Sequence, residues 1–168
     1  MKLGRRKFQR GRVVEGSWIL GFIELESGEV RLEICPDNKR DQETLLTLIQ
    51  YASSHFIQSY LHISRKHVAI NSTILTDCWK GYNNLSQNDF EHFCVNHSRF
   101  FVDPETGVDT NRIEAQWRPL RKRLSRGGIQ KEKLADHLCE FLYMKDVARR
   151  GVDPFLDILE NIKIMYPV

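Results

Sequence analysis

The order of apolar and polar residues predicts β-structure in the first part of the chain. Residues 13–36 are rich in β-branched and aromatic side chains, and residues 30–35 alternate between apolar and polar. The sequence SGE at residues 27–29 supplies a turn between two apolar runs. We therefore expect a β-hairpin over residues 13–36, which the sequence PDN starting at Pro36 would end.

The pattern becomes helical after Asp41. Apolar side chains recur at steps of three and four residues, which places them on one face of a long helix. They are Leu45, Ile49, Ala52, Phe56 and Tyr60. Asp41 directly precedes this segment and is a suitable N-cap for the helix.

The rest of the chain is predicted to contain two further strands and three terminal helices. We expect strands over residues 72–77 and 92–97, with a turn-rich loop after the second. The helical segments are expected over about 111–126, 129–148 and 154–165. This order of elements predicts a single layered domain of the α/β or α+β class.

The composition is that of one soluble globular domain. The chain has 168 residues, of which 41% are hydrophobic and 28% charged. Its longest apolar stretch, residues 18–23, is too short to span a bilayer, and the basic N-terminus lacks the apolar region of a secretory signal. The four cysteines have no metal-binding spacing. We expect an intracellular protein with reduced thiols, no structural zinc site and no membrane partner.

Basic residues are concentrated in two short segments. Residues 1–12 and 118–126 hold eleven of the 25 basic residues and no acid, which leaves 14 basic against 22 acidic residues in the rest of the chain. Such segments on an acidic body favour an anionic polymer, in particular nucleic acid, as the partner. A solvated charged face is the alternative that charge alone leaves open.

Two acids are candidates for chemistry. Asp77 ends an apolar strand, and Glu114 lies at the border of a helical apolar stripe, with Arg118 and Arg121 on the same ridge at i+4 and i+7. Carboxylates suit Mg²⁺, a hard cation that prefers oxygen ligands. Helix capping is the alternative for both acids, because Asp77 could cap a short helix and Asn111 could form a capping box with Glu114.

A group of His and Cys residues gives a weaker metal signal. His92, Cys94 and His97 are close in sequence. On a strand, however, His92 and Cys94 face one side and His97 faces the other. Packing within the strand therefore explains these residues better than a shared metal site.

Four sequence segments together resemble a known family. They are RGRVVEGSWILGFIE, STILTDCWKGYNNL, HFCVNHSRFFVDPETGVDTNRIEAQWRPLRKRL and FLDILENIKIMYP. In this order they resemble the DDE transposases of the Merlin superfamily and their bacterial insertion-sequence (ISXO-like) relatives. The resemblance covers most of the chain.

The resemblance implies a ribonuclease-H-like α/β fold, with a mixed sheet and flanking helices, and a Mg²⁺-dependent or Mn²⁺-dependent enzyme that cuts and joins DNA. Asp77 would be the second catalytic acid and Glu114 the third, and both would hold the metal. The residues expected to contact DNA are Arg118, Arg121, Lys122, Arg123, Arg5, Arg6 and Lys7. A nuclear location and a homo-oligomer are further expectations from the resemblance.

The N-terminus departs from the family pattern. The first catalytic Asp of the family lies on a strand just before the segment that corresponds to LGRRKFQRGR, and residues 1–12 contain no acid. We therefore expect one domain over residues 1–168 that is incomplete at its N-terminus, lacks the first strand of its sheet and is a poor nuclease. A non-catalytic DNA-binding protein derived from a transposase is the alternative function.

Three further features differ from the family. Residues 51–65 are expected to be an insertion, either a helix extension or translated non-coding sequence. Asp109 stands where the family usually has His. Pro119 lies inside the predicted helix that carries Glu114, where the loss of one backbone hydrogen bond is expected to cost about 3 kcal/mol or kink the helix.

Overall fold

The protein has a mixed α/β fold. The structure is a computed structural model that describes residues 1–3, 16–51, 68–69, 71–124 and 130–167. Its strands and helices are β1 (Ile19–Ile23), β2 (Val30–Ile34), α1 (Gln42–Tyr51), β3 (Thr73–Asp77), β4 (Glu91–Val95), α2 (Asn111–Leu124), α3 (Leu134–Arg150) and α4 (Pro154–Met165).

The predicted β-hairpin is confirmed. Strands β1 and β2 pair antiparallel, from Ile19 opposite Ile34 to Ile23 opposite Val30. Gly28 in the connecting turn has a φ of 70°, a left-handed conformation that glycine adopts at little cost. The apolar alternation and the turn residues were thus sufficient to predict this element.

The start of α1 also agrees with the sequence. The carboxylate of Asp41 accepts a hydrogen bond of 2.9 Å from the backbone N–H of Thr44, so Asp41 caps the helix. The described part of α1 ends at Tyr51. The predicted continuation to Tyr60, and the insertion expected over residues 51–65 beyond Tyr51, lie outside the described residues.

The described strands form two separate sheets. Strands β3 and β4 pair parallel to each other, and β1 and β2 form the other sheet. The strand predicted over residues 72–77 is confirmed, whereas the next one covers Glu91–Val95 and ends before His97. The mixed α/β class is therefore correct, but the expected single mixed sheet is divided by a cleft between β1 and β3.

Two apolar clusters cover the two sides of the hairpin. On one side, β1 and β2 pack against α2 and α3 through buried residues that include Leu3, Ile19, Leu32, Leu120, Leu124, Leu134, Leu138 and Phe141. On the other side, α1 packs against β1 and the segment after β3 through Leu20, Cys35, Leu45, Ile49, Leu85 and Phe90. The adjacent residues Ile19 and Leu20 of β1 belong to different clusters, because successive side chains of a strand point to opposite faces of the sheet.

Helix α2 continues through Pro119. The helix runs from Asn111 to Leu124, and its predicted apolar stripe faces the core, with Leu120 and Leu124 buried. Proline at position 119 removes the N–H that would bond to the carbonyl of Ala115. The packing of the two leucines offsets this loss, because both lie in the cluster shared with β1, β2 and α3.

The two C-terminal helices are joined by a capped turn. Gly151 ends α3 in a left-handed conformation, and the carboxylate of Asp153 accepts hydrogen bonds from the first N–H groups of α4. Arg150 binds Asp157 at 2.7 Å across the junction. Among the described helices, none has the length and apolar character required to cross a membrane.

Gly21 allows α2 to lie close to β1, and this contact gives a testable prediction. A Cβ atom at Gly21 would lie 2.1 Å from Cη2 of Trp117. We expect Gly21→Ala to lower the free energy of unfolding by about 1–3 kcal/mol, because the indole must move within a packed core. Urea denaturation followed by circular dichroism measures this change.

The double variant Gly21→Ala/Trp117→Leu tests the stated cause. If the clash with the indole is responsible, the double variant loses less stability than the sum of the two single variants. Additive losses would contradict the explanation.

Candidate active site

Asp77 lies at the carboxyl end of β3, beside the cleft. Its side chain is exposed, and Oδ1 accepts a hydrogen bond of 3.2 Å from the backbone N–H of Trp79. A short 3-10 helix, Lys80–Tyr82, follows. The N-cap residue of that helix is Trp79 and not Asp77. Asp77 instead orders the turn before the helix through one carboxylate oxygen. Its other carboxylate oxygen has no hydrogen bond from the described residues.

The aromatic residue next to Asp77 is part of a cation–π stack. The guanidinium of Arg40 lies 3.8 Å from the ring centre of Trp79 and 3.9 Å from that of Trp18. The indole N–H of Trp79 also donates to the backbone carbonyl of Arg40. Contacts of this kind contribute about 0.5–2 kcal/mol each. They link the turn after Asp77 to the start of the hairpin.

Glu114 belongs to a three-residue hydrogen-bond network at the start of α2. The hydroxyl of Thr110 donates to Oε1 of Glu114 at 2.8 Å. Nε2 of His97 lies 2.6 Å from the same hydroxyl and 3.3 Å from Oε1 of Glu114. Because a hydroxyl has only one proton to donate, Nε2 of His97 must donate to Thr110. The network orients one oxygen of Glu114 and leaves the other available.

The predicted capping box is wrong, because the side chain of Glu114 pairs with Thr110 and not with Asn111. Asn111 is already the first residue of α2, and its N–H is bound by the carboxylate of Asp109 at 2.8 Å. Thr110 precedes the helix, and its carbonyl accepts the N–H of Glu114. The carboxylate of Glu114 accepts a hydrogen bond from the side-chain hydroxyl of Thr110. It therefore does not bind the backbone N–H of Asn111, as the predicted capping box requires.

Asp77 and Glu114 line the same cleft. The cleft has a volume of about 720 Å³ and is bordered by β1, β3 and the first two turns of α2. Asp109, Thr110 and Trp117 line it as well. The described residues contain no group of three or more His, Cys, Asp or Glu side chains arranged to hold a metal ion. The structure therefore places both predicted acids on the lining of one cavity.

The predicted DNA-contacting residues of α2 differ in their surroundings. Arg118 and Arg121 are exposed and have no ion-pair partner among the described residues. Arg123 forms an ion pair with Glu140 of α3, and Lys122 is exposed. The remaining three predicted contacts, Arg5, Arg6 and Lys7, lie outside the described residues.

His92 and Cys94 of β4 contact residues at the end of β3 and do not form a metal site with His97. The Sγ atoms of Cys78 and Cys94 lie 2.7 Å apart, and this contact, with a smaller effect of burial, raises the pKa of Cys78 to about 11. His92 bonds to the hydroxyl of Thr76 at 2.8 Å, and burial lowers its pKa. All four cysteines are free thiols, as expected.

The sequence did not identify His97 and Thr110 as partners of Glu114. His97 and Thr110 lie thirteen positions apart in the sequence, and the loop between these two residues brings their side chains into contact. That loop is ordered by Asp103, whose carboxylate accepts hydrogen bonds from Glu105 and Thr106. The one available signal was a polar residue directly before the helix, which suggests a side-chain partner near its first turn.

Comparison with known proteins identifies transposase relatives. The family model of the ISXO2-like transposase domain matches residues 3–146. A Haemophilus influenzae protein named "Uncharacterized transposase-like protein" is 31% identical over 86 residues, which cover 49% of this chain and 68% of the relative. No solved structure matches the chain.

Proposed function

Because this chain belongs to the ISXO2-like transposase domain family, we propose that it binds DNA and acts on it in transposition, with Asp77 and Glu114 as ligands of Mg²⁺ or Mn²⁺. The observation that carries the proposal is the position of the two acids in one cleft, with the exposed arginines of α2 beginning one turn beyond Glu114.

The donor set fits a hard divalent cation. Mg²⁺ is usually bound by one or two carboxylates and keeps several water molecules. Asp77 and Glu114 offer this set, since each is held by hydrogen bonds to one carboxylate oxygen and retains a second oxygen for a metal. Bound divalent ions of this kind activate the attacking oxygen and stabilise the leaving oxygen in phosphoryl transfer.

The side chains around the two acids would position them. The backbone N–H of Trp79 fixes the carboxylate of Asp77, and the cation–π stack with Arg40 holds Trp79 in place. The hydroxyl of Thr110, itself bound by His97, fixes Glu114. Hydrogen bonds of this outer shell orient ligands, and their loss typically weakens metal affinity 10- to 100-fold.

Helix α2 would place DNA across the acids. Arg118 and Arg121 lie one and two turns beyond Glu114 on the same ridge, and a cation on that ridge can neutralise a phosphate of the backbone. A duplex held there would lie along α2, with its phosphates close to the cleft. This arrangement supports sequence-independent DNA binding as the first step of the activity.

The salt dependence of DNA binding tests this part of the proposal. Each phosphate neutralised on duplex DNA contributes about 0.9 to the slope of log K against log salt concentration. We expect the double variant Arg118→Ala/Arg121→Ala to reduce the slope by about 1.8 and to weaken binding similarly on unrelated sequences. Fluorescence anisotropy with a labelled 20-base-pair duplex at several salt concentrations measures both.

Arg149→Ala is the matched control, because Arg149 is an exposed arginine of α3 that is already paired with Asp146. Like each substitution in the double variant, Arg149→Ala removes one positive charge. It should nevertheless leave the slope of log K against log salt concentration almost unchanged. An unchanged slope in the double variant would show that the α2 ridge does not contact DNA. DNA binding without any cleavage in Mg²⁺ would favour the alternative, a non-catalytic DNA-binding protein.

A further inference from the structure

Two exposed thiols lie in contact where β3 ends beside β4. The Sγ atoms of Cys78 and Cys94 are 2.7 Å apart, and both residues are exposed. Cys94 belongs to β4, and Cys78 is the first residue after β3. Cys35 is buried and Cys139 is exposed on α3, and neither contacts another thiol in the described part of the chain.

The register of the parallel strands produces this contact. Thr76 lies opposite Cys94 in the ladder, and Cys78 follows Thr76 on the same face of the sheet because strand side chains alternate. The hydroxyl of Thr76 bonds to Nε2 of His92 at 2.8 Å. The contact between the thiols repeats this diagonal pairing two residues further along both strands. Strand pairing, fixed by a hydrogen bond one repeat earlier, therefore holds the two thiols together.

The distance between the sulfur atoms suits a disulfide better than a shared metal ion. A disulfide bond is about 2.05 Å long, so the gap of 2.7 Å would have to close by about 0.7 Å. Two thiolates on one tetrahedral zinc ion, with bonds of about 2.3 Å, would lie about 3.8 Å apart. The described residues also include no group of three or more His, Cys, Asp or Glu side chains that could hold a metal. The pair is thus arranged for a bond between its own sulfur atoms.

Exposure determines how such a bond would behave. Structural disulfides resist reduction by glutathione, whereas exposed disulfides have more oxidising potentials and are readily reduced. Cys78 and Cys94 are both exposed, so a peroxide and a thiol reductant can each reach the sulfur atoms. We therefore expect a bond that forms and is reduced again without unfolding of the protein.

We propose that Cys78 and Cys94 are a redox-modification site, at which hydrogen peroxide forms a disulfide and glutathione reduces it. Cys78 is the residue between Asp77 and Trp79, so the bond would tie the turn after β3 to β4. Disulfide formation depends on neither metal nor DNA binding. This proposal and the proposed function can therefore fail independently.

The oxidation has two steps. The sulfur of one thiol attacks an oxygen atom of the peroxide, the O–O bond breaks, and a sulfenic acid and a water molecule form. The sulfur of the second thiol then attacks the sulfenic sulfur, the S–O bond breaks, and a second water molecule leaves. Overall, the two thiols lose two electrons and two protons to one peroxide. Two glutathione molecules reverse the change and leave as one oxidised glutathione.

Peptide mapping of the full chain tests the proposal. The protein is treated with a small molar excess of hydrogen peroxide, its remaining thiols are alkylated, and it is digested with trypsin. Lys80 lies between the two cysteines, so the disulfide appears as two linked peptides whose summed mass is lower by two hydrogen atoms. We expect this product to form at least about tenfold faster than any oxidation of Cys139, because the partner thiol is already in place. Reduced glutathione should then restore both thiols.

Two serine variants provide a matched pair within the protein. Cys94→Ser removes the partner of Cys78 and should abolish the linked peptides. Cys139→Ser makes the same change at an exposed cysteine that has no partner thiol among the described residues, and it should leave the yield of linked peptides unchanged. Equal yields in the two variants would contradict the pairing.

Three other results would overturn the proposal. They are sulfinic acid at Cys78 and Cys94 in place of the disulfide, a disulfide between two chains on a non-reducing gel, and a disulfide that glutathione does not reduce. The first two results would mean that the sulfur atoms are not held together within one folded chain. The third would mean that the bond is structural and not reversible.

Discussion

Replacing Asp77 with Asn is expected to weaken the binding of Mn²⁺ by at least about 10- to 100-fold, the cost usually measured for loss of an outer-shell partner alone. Asp77 is one of the two proposed metal ligands that line the cleft, and the amide removes the negative charge that a hard cation requires. Isothermal titration calorimetry with Mn²⁺ measures the affinity. Any Mg²⁺-dependent nicking of supercoiled DNA should be lost in the same variant.

Asp89→Asn is the control for this prediction. Asp89 is exposed, does not line the cleft and has a φ of 60°, a left-handed conformation that Asn also adopts readily. It carries the same change of charge and should leave metal binding unaltered. Equal metal affinity in the wild type and in Asp77→Asn would contradict the metal-binding role of Asp77. The salt-dependent binding of DNA would then remain as a separate property.

The sequence was sufficient to predict the elements whose signals are local. The β-hairpin follows from alternation and a glycine turn, and the cap of α1 follows from Asp41 placed three residues before an accessible N–H. Helix α2 was predicted from its apolar stripe in spite of Pro119. In each case the residues that decide the structure are neighbours along the chain, so pattern and propensity agree with the final packing.

The features that the sequence could not predict depend on contacts between distant segments. Arg40 lies between two indoles that are more than sixty residues apart, and nothing near Arg40 indicates either of them. Asp77 and Glu114 line one cleft, whereas the partner of Glu114 is the hydroxyl of Thr110 and not the predicted Asn111.

Leu120→Ala is expected to lower the free energy of unfolding by about 2–5 kcal/mol, the range for removing a fully buried leucine. The side chain of Leu120 is 0% exposed and lies where α2 meets β1, β2 and α3. It also follows Pro119, where the helix lacks one backbone hydrogen bond. Urea denaturation monitored by circular dichroism measures the change.

The control is Ile164→Ala on α4, where the side chain is 69% exposed, and its effect should be within about 0.5 kcal/mol. A comparably small loss in Leu120→Ala would mean that α2 is held in place by other contacts. The ridge of Arg118 and Arg121 lies on the helix that Leu120 anchors, so its position relative to the cleft depends on the same packing. Leu120→Ala should therefore weaken DNA binding even at temperatures at which the protein remains folded, although its charge is unchanged.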